Sequence, residues 1–505
     1  MGSMKHTLSI EPIDRLALTV MAALGLLIGI LILGGKECGS RCWIRTGPKV
    51  QQFSWAEQAV GASDRAFVLT FDRPMDQASV EQNLVIDPPL LGKTSWSGRR
   101  MAFTLIKPIP YGERYQLYLQ GGRERFRGEN QPGQLMQPFV SQFRSRDRAL
   151  AYIGTEGEEQ GRLIVYNLTE KKKLILTPPE LVIVDFKFYP QGDRILFSAA
   201  ERQRGIAGLR ELQIYTVPTG MGTQGSKSEN LDDFKANVSL VLDNLDYQNN
   251  QFNLSPDGET IVVQRVNRLN PSDFDLWVVR EGEKPQPLKV QGGDFLITPD
   301  SQNLAVARGE GISLLPLRPG AEPLDFLPKF GQLLNFSADG TAAALVDFNS
   351  QDASRRYLRS LYYVNNQGIQ RELLTLSGSI RTCQFNAIGT ALFCLLTQLE
   401  PGESYREKPY FAKIDLKSGK AYSLAKLPEI QDIKMSLAPD DLGILFDQVL
   451  TTTNPLAAHD LTTDSGATIF GSRIWLLIPP PSERPKTQSE VKALPLMGYR
   501  PQWMP

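Results

Sequence analysis

Histidine is nearly absent from this chain of 505 residues, which holds only His6 and His459. That scarcity weighs against histidine acid–base chemistry and against the commonest metal ligand. Cysteine is as sparse, at four. A thiolate metal site would need Cys38 and Cys42 to meet Cys383 and Cys394 from the far end of the chain, so no metal is expected. Nor is charge of one sign in excess: Lys+Arg and Asp+Glu both count 55, which gives no global field for nucleic acid. There is no Gly-x-Ser-x-Gly elbow, and the nearest approach to a phosphate loop, "GMGTQGSKS" from Gly220, has Ser226 between its Gly and its Lys. The adjacent carboxylates Asp440 and Asp441 lie in a turn signal and read as solvated. No catalytic residue, cofactor or metal is assigned, and the chain reads as a non-enzyme.

What is present begins with one long apolar run. Leu16 to Leu33 gives 18 uncharged residues, just enough helix to cross a hydrocarbon core of about 30 Å. No small-residue cleavage site follows, so the segment reads as an uncleaved anchor. Residues 1–15 form a tail, 16–33 the transmembrane helix and 34–50 a linker. The basic residues Lys36, Arg41, Arg45 and Lys49 outnumber Lys5 and Arg15 across the span, which by charge alone keeps the bulk of the chain cytoplasmic. The modules that follow favour the other orientation, with the bulk extracytoplasmic.

Residues 51–146 read as short strands between turns, with alternation at Phe67, Leu69 and Phe71 and again at Met101, Phe103 and Leu105. This length suits one β-sandwich. At "FVLTFDRPMD", with "PIPYGERYQLYL" later, the segment resembles bacterial Ig-like domains of the SbsA type. That likeness implies a spacer or adhesive module without catalytic residues. Asp72 and Asp76 flank the turn; calcium ligation and local backbone bonding are both open to them, and the turn favours the second.

From 147 to 505 one unit recurs: an alternating strand, a turn such as "SPDG", and a second strand. Pro190, Pro256, Pro299, Ala338, Ala387 and Pro439 mark the turns, at spacings of 66, 43, 39, 49 and 52 residues, the period of propeller blades with loop insertions. In such a turn Pro presets φ, Asp bonds the following backbone, and Gly accepts positive φ. Third strands follow, among them "DLWVV" and "RIWLLIP". Seven second strands and seven third strands are present but only six internal first strands. The tail "GYRPQWMP", carried back by a Pro-rich link over 481–493, supplies the seventh. The prediction is an all-β chain: a transmembrane helix, an Ig-like β-sandwich, and a seven-bladed β-propeller closed by its C-terminal strand. Through "SPDG" and its variants this half resembles TolB-like and WD-repeat-type propellers, which implies a cell-envelope setting.

Long second-to-third loops gather Arg268, Arg355, Arg356, Arg359, Tyr405, Arg406 and Lys408 on one face. Arg and Tyr are favoured at interface hot spots, so these are the candidate partner-binding residues, for a protein or an envelope glycan. Cys383 and Cys394 flank a hairpin turn and read either as a disulfide or as buried small apolar groups. The expected function is a membrane-anchored scaffold or binding protein of the cell envelope. The alternative is an envelope glycan or peptide hydrolase or lyase working in the propeller channel.

Overall fold

The computed structural model describes residues 12–34 and 47–505, apart from 126–132, 222–235, 292, 310, 319, 321, 403–404, 429–431, 453–467 and 481–487. His459, Cys38, Cys42 and Glu403 therefore lie outside the described residues. The helix Pro12–Gly34 leads the chain, and its described side chains from 16 to 28 are all exposed. Among the described residues no helix is long and apolar enough to cross a membrane; the described side chains of this one run only from 16 to 29.

Two four-stranded sheets follow and share one core. Alternation in the strands Ala66–Phe71 and Arg100–Leu105 sends Phe67, Leu69, Phe71, Met101, Phe103 and Leu105 into it. At the "FDRPMD" turn both acids serve backbone. Asp76 caps the short helix Gln77–Asn83 by accepting from Ser79 N at 3.1 Å, and Asp72 accepts from Lys49 N at 2.9 Å. The chain enters this sandwich at Val50, paired with Phe71, the far end of the strand Ala66–Phe71 from the propeller. Next to its near end, Arg65 donates from Nη1 to Ala387 O at 3.4 Å.

Beyond residue 148 the described strands form five four-stranded sheets and one of seven strands. The wide sheet is two blades joined by the strand Glu490–Trp503. Its first half pairs with Thr468–Ile478, with Ile478 opposite Glu490. Its second half pairs with Ala149–Gly154, with Gly498 opposite Gly154 and Trp503 opposite Leu150. The tail therefore supplies the first strand of blade one, as its alternation predicts. It also completes blade seven, which the reading of 481–493 as a link misses, since Glu490 is already in the ladder. In order, the second strands of the blades are Ala149–Gly154, Arg194–Glu201, Thr260–Asn267, Asn303–Arg308, Ala342–Asp347, Ala391–Leu399 and Ile444–Thr452.

Seven apolar clusters fill the seven seams between neighbouring blades. The last joins Leu445 and Ile474 of blade seven to Leu150, Tyr152 and Trp503 of blade one, so the ring closes on the same physics that builds it. The "SPDG" turns line one face and rest on one another. Gly258, at φ +79°, is needed twice over: a Cβ there would also stand 2.9 Å from Pro190 in the preceding turn.

The turn "APDD" is not solvated. Asp440 is buried and accepts at Oδ2 from Tyr111 N at 3.0 Å and from Arg148 Nη2 at 2.5 Å. Asp441 accepts from Ala387 N at 2.9 Å, tying its turn to the preceding one, and burial pushes its carboxyl above the usual range. Together with Arg146 Nη1 donating to Pro505 O at 3.0 Å, these bonds seat the sandwich on the turn face. A buried carboxylate meeting backbone N–H and guanidinium donors is the kind of polar group that is costly to strip of one partner.

Two predictions follow from closure. Deleting Gly498 to Pro505 removes the Trp503 and Met504 contacts and a whole ladder, which costs more than the about 3–5 kcal/mol of a single buried Trp; an unchanged urea midpoint in the truncated chain would sink the closure. Asp447, buried where Lys434 N and Arg500 N donate to it, has its carboxyl pushed up by burial to about 6. The folded chain thus keeps a proton that the unfolded chain has already released. The resulting stabilisation, at most about 3 kcal/mol, is full below pH ~4 and lost as pH rises through about 6. Urea unfolding from pH 4 to 7 should lose more stability in the parent than in Asp447→Asn, the difference growing through about pH 6.

Candidate functional site

The face opposite the docked sandwich carries the second-to-third loops and the starts of the first strands. Between blades five, six and seven it opens into a cleft of ≈ 480 Å³, whose wall includes Val346, Phe348, Arg359, Ile380, Arg381, Ile433, Lys434 and Met435. The first strands enter it with an apolar residue beside a cation: Ile380 with Arg381 and Ile433 with Lys434. Lys329 with Phe330 repeats the pattern in blade five, beside the neighbouring pocket of ≈ 370 Å³. All four of Ile380, Arg381, Ile433 and Lys434 line the cleft, the last two just ahead of their strand Met435–Leu437 and the first two at an irregularity in theirs.

Of the sequence-predicted residues, Arg359 lies in the cleft wall. Its guanidinium stands 5.1 Å over the ring of Phe348 and donates from Nη1 to Phe348 O at 3.3 Å and Leu358 O at 3.0 Å. Arg355 has a different role. Its Nη2 donates to both carboxylate oxygens of Glu372, at 2.9 and 3.0 Å, and to Thr375 Oγ1 and Ser360 Oγ, closing the blade-five loop on its own blade. Arg356 stacks 4.5 Å over Tyr357, and both are exposed. Arg268 sits on blade three and donates to Asn244 O at 2.7 Å and Arg210 O at 3.5 Å. On blade six Tyr405 donates to Glu407, Lys408 pairs with Glu400, and the Arg406 carbonyl accepts from Glu400 N at 2.8 Å. The structure gathers only Arg355, Arg356 and Arg359 tightly; Arg268 lies apart, and the blade-six residues flank the cleft.

A polar network under the blade-five loop holds this lip. Lys329 donates to Tyr362 Oη at 2.8 Å and pairs with Asp347 at 3.4 Å, while Tyr362 Oη donates to Glu372 at 2.9 Å. Burial opposes the Lys329 charge, but Tyr362 and Asp347 outweigh it and hold the ammonium above its ordinary range. Burial likewise opposes the Glu372 charge, and hydrogen bonds from Thr375, Arg355 and Tyr362 hold its carboxyl below the usual range. Both groups stay ionised at neutral pH, a state suited to fixing a loop rather than moving protons.

Sequence reading missed Phe348, Arg381 and Lys434. The signal for the two cations was the repeated apolar–basic step at the first-strand starts, which becomes visible once the copies are aligned on their turns. Nothing local marks Phe348. Cys383 and Cys394 face each other across the blade-six ladder with sulfurs 2.06 Å apart, a disulfide. Among the described residues no group of three or more His, Cys, Asp or Glu is placed to hold a metal ion.

No protein-family model matches this chain, and no curated protein matches it. Solved structures do. An oligogalacturonate lyase from Vibrio parahaemolyticus is 12% identical over 66% of this chain and 92% of its own, with a TM-score of 0.45. TolB from Acinetobacter baumannii is 13% identical over 85% of this chain and 86% of its own, with a TM-score of 0.38. Likenesses of this size carry no argument about activity.

Proposed function

We propose that this chain is a membrane-anchored binding protein of the cell envelope, in which the sandwich carries the propeller and the face opposite the sandwich engages a protein partner. The observation that carries this reading is the exposure of large side chains on that face: Leu269 at 97%, Ile206 at 88%, Leu245 and Tyr405 at 76% and Tyr357 at 73%. Arginines interleave with them, and Arg268 clips together the loops that carry Leu209, Leu245 and Leu269. Apolar side chains held rigidly in water beside Arg and Tyr are the composition of an interface core before its partner arrives.

Anchoring rests on the N-terminal helix. Its 23 residues reach about 34 Å at 1.5 Å per residue, and Leu16 to Leu33 carries no charge. Leu16, Leu18, Val20, Met21, Leu24, Leu26, Leu27 and Ile28 are each 51–68% exposed, and burial in lipid removes that cost. An oxidising, extracytoplasmic setting agrees with the Cys383–Cys394 disulfide. The propeller is seated on the Ig-like spacer by its turn face, so the binding face lies on the side of the ring away from the spacer.

Photo-crosslinking in intact cells tests this reading. A crosslinker at Leu269 or Tyr357 should give one discrete protein adduct, while the same group at Glu259 on the turn face gives none. Equal labelling from both faces, or release of the intact chain by an alkaline wash that spares integral proteins, would overturn the corresponding half of the reading.

A further inference from the structure

We infer that the end of the sandwich farthest from the propeller rests on a membrane surface, with Lys49, Arg99, Arg100 and Arg123 against anionic phospholipid headgroups and Leu135 dipping between them. This rests on the reading of the N-terminal helix as an anchor and adds the use to which the anchored chain puts its sandwich.

The two ends of the sandwich use their cations differently. At the propeller end Arg65 and Arg146 both donate across the junction, to Ala387 O and Pro505 O. At the far end Lys49, Arg99, Arg100 and Arg123 are exposed, and among the described residues none of the four pairs with a carboxylate. One turn collects them. Asp72 N donates to Lys49 O at 3.1 Å, Arg99 Nη1 donates to Asp72 O at 3.0 Å, and Asp76 N donates to Arg123 O at 2.8 Å. Arg100 opens the strand Arg100–Leu105, opposite Thr70. The acids of this turn are already committed: Asp72 and Glu124 each stand 3.8 Å from Arg73, and Asp76 caps the helix Gln77–Asn83.

An exposed leucine sits among these cations. Leu135 is 52% exposed and bridged to Arg123. Gly47 lies so close to the Leu135 carbonyl that a Cβ would overlap it, so the chain arriving from the helix reaches the sandwich at this same spot.

The tether selects the occupant. From Gly34, where the helix ends, to Gly47 the chain spans at most about 45 Å when fully extended, so these cations stay within reach of whatever surface holds the helix. A lipid surface supplies phosphates for the guanidinium and ammonium groups and, beneath them, an apolar layer for the leucine. A free phosphate or a nucleic acid would match the charges and leave Leu135 in water.

The test is energy transfer in lipid nanodiscs that hold the full chain, from a fluorophore at Ser97, opposite Arg100, to a headgroup-labelled lipid. Discs of phosphatidylcholine are compared with discs that also contain phosphatidylglycerol. Transfer should be higher with phosphatidylglycerol and fall as salt rises. Each cation removed should shift the ratio of seated to free ends by roughly fivefold. Lys49→Gln combined with Arg100→Gln alters two side chains whose charged groups make no bond among the described residues. That double variant should return transfer to the phosphatidylcholine level with an unchanged melting temperature. Arg356→Gln, on the opposite face of the propeller, should change nothing. Full co-elution with both kinds of disc but equal transfer in them would overturn the inference and leave the anchor standing, as would a double variant that transfers like the parent. Co-elution with neither kind of disc would overturn both readings. Co-elution with the phosphatidylglycerol discs alone, lost in the double variant, would overturn the anchor and support the headgroup contact.

Discussion

The antiparallel pairing of Tyr499 to Trp503 with Leu150 to Ile153 joins the two ends of a repeat some 350 residues long into one ring. Without it blade one lacks its first strand, blade seven loses its neighbour, and the seam holding Leu150, Tyr152 and Trp503 opens to water. Arg500 strengthens the join on both sides, donating from its backbone to Asp447 in blade seven and from its guanidinium to Asp185 in blade two at 2.7 Å. Every other blade is held by neighbours already adjacent in sequence. This one alone must recruit its partner across the whole chain, at a loop-closure cost that the six local seams do not bear.

Closure also decides where the sandwich sits. Asp440 belongs to the turn of blade seven, Arg148 opens blade one, and Tyr111 belongs to the sandwich, so their bonds form only when the two end blades are side by side. The ring and the stalk are thus coupled through one buried carboxylate. Because that carboxylate lies on the turn face, the opposite face stays uncovered, with its exposed leucines and its cleft.

Much of the architecture was legible because its causes are local. The "SPDG" turns need Pro, Asp and Gly for reasons internal to four residues, and the strand alternation at Phe67, Leu69 and Phe71 states which face is buried. The candidate site was legible only in part. Arg359 was found by its place in a long loop. Arg355 was found by the same rule, yet its chemistry is spent on Glu372, a partner that sequence position does not name. Asp440 and Asp441 looked like a solvated turn, because the contact that buries them comes from Tyr111 and Ala387, about 330 and 54 residues away.

By itself the sequence determined the repeat, its turns, the count of seven and the need for the tail to return, since each follows from periodicity and backbone preference. Only the tertiary structure decided that Glu490–Trp503 serves two blades, that a carboxylate turn locks the stalk to one face, and that Arg359, Arg381 and Lys434 share one opening. Those facts depend on the angle at which one blade meets the next. That angle is set by side-chain packing in the seams between blades rather than by any residue's own preference.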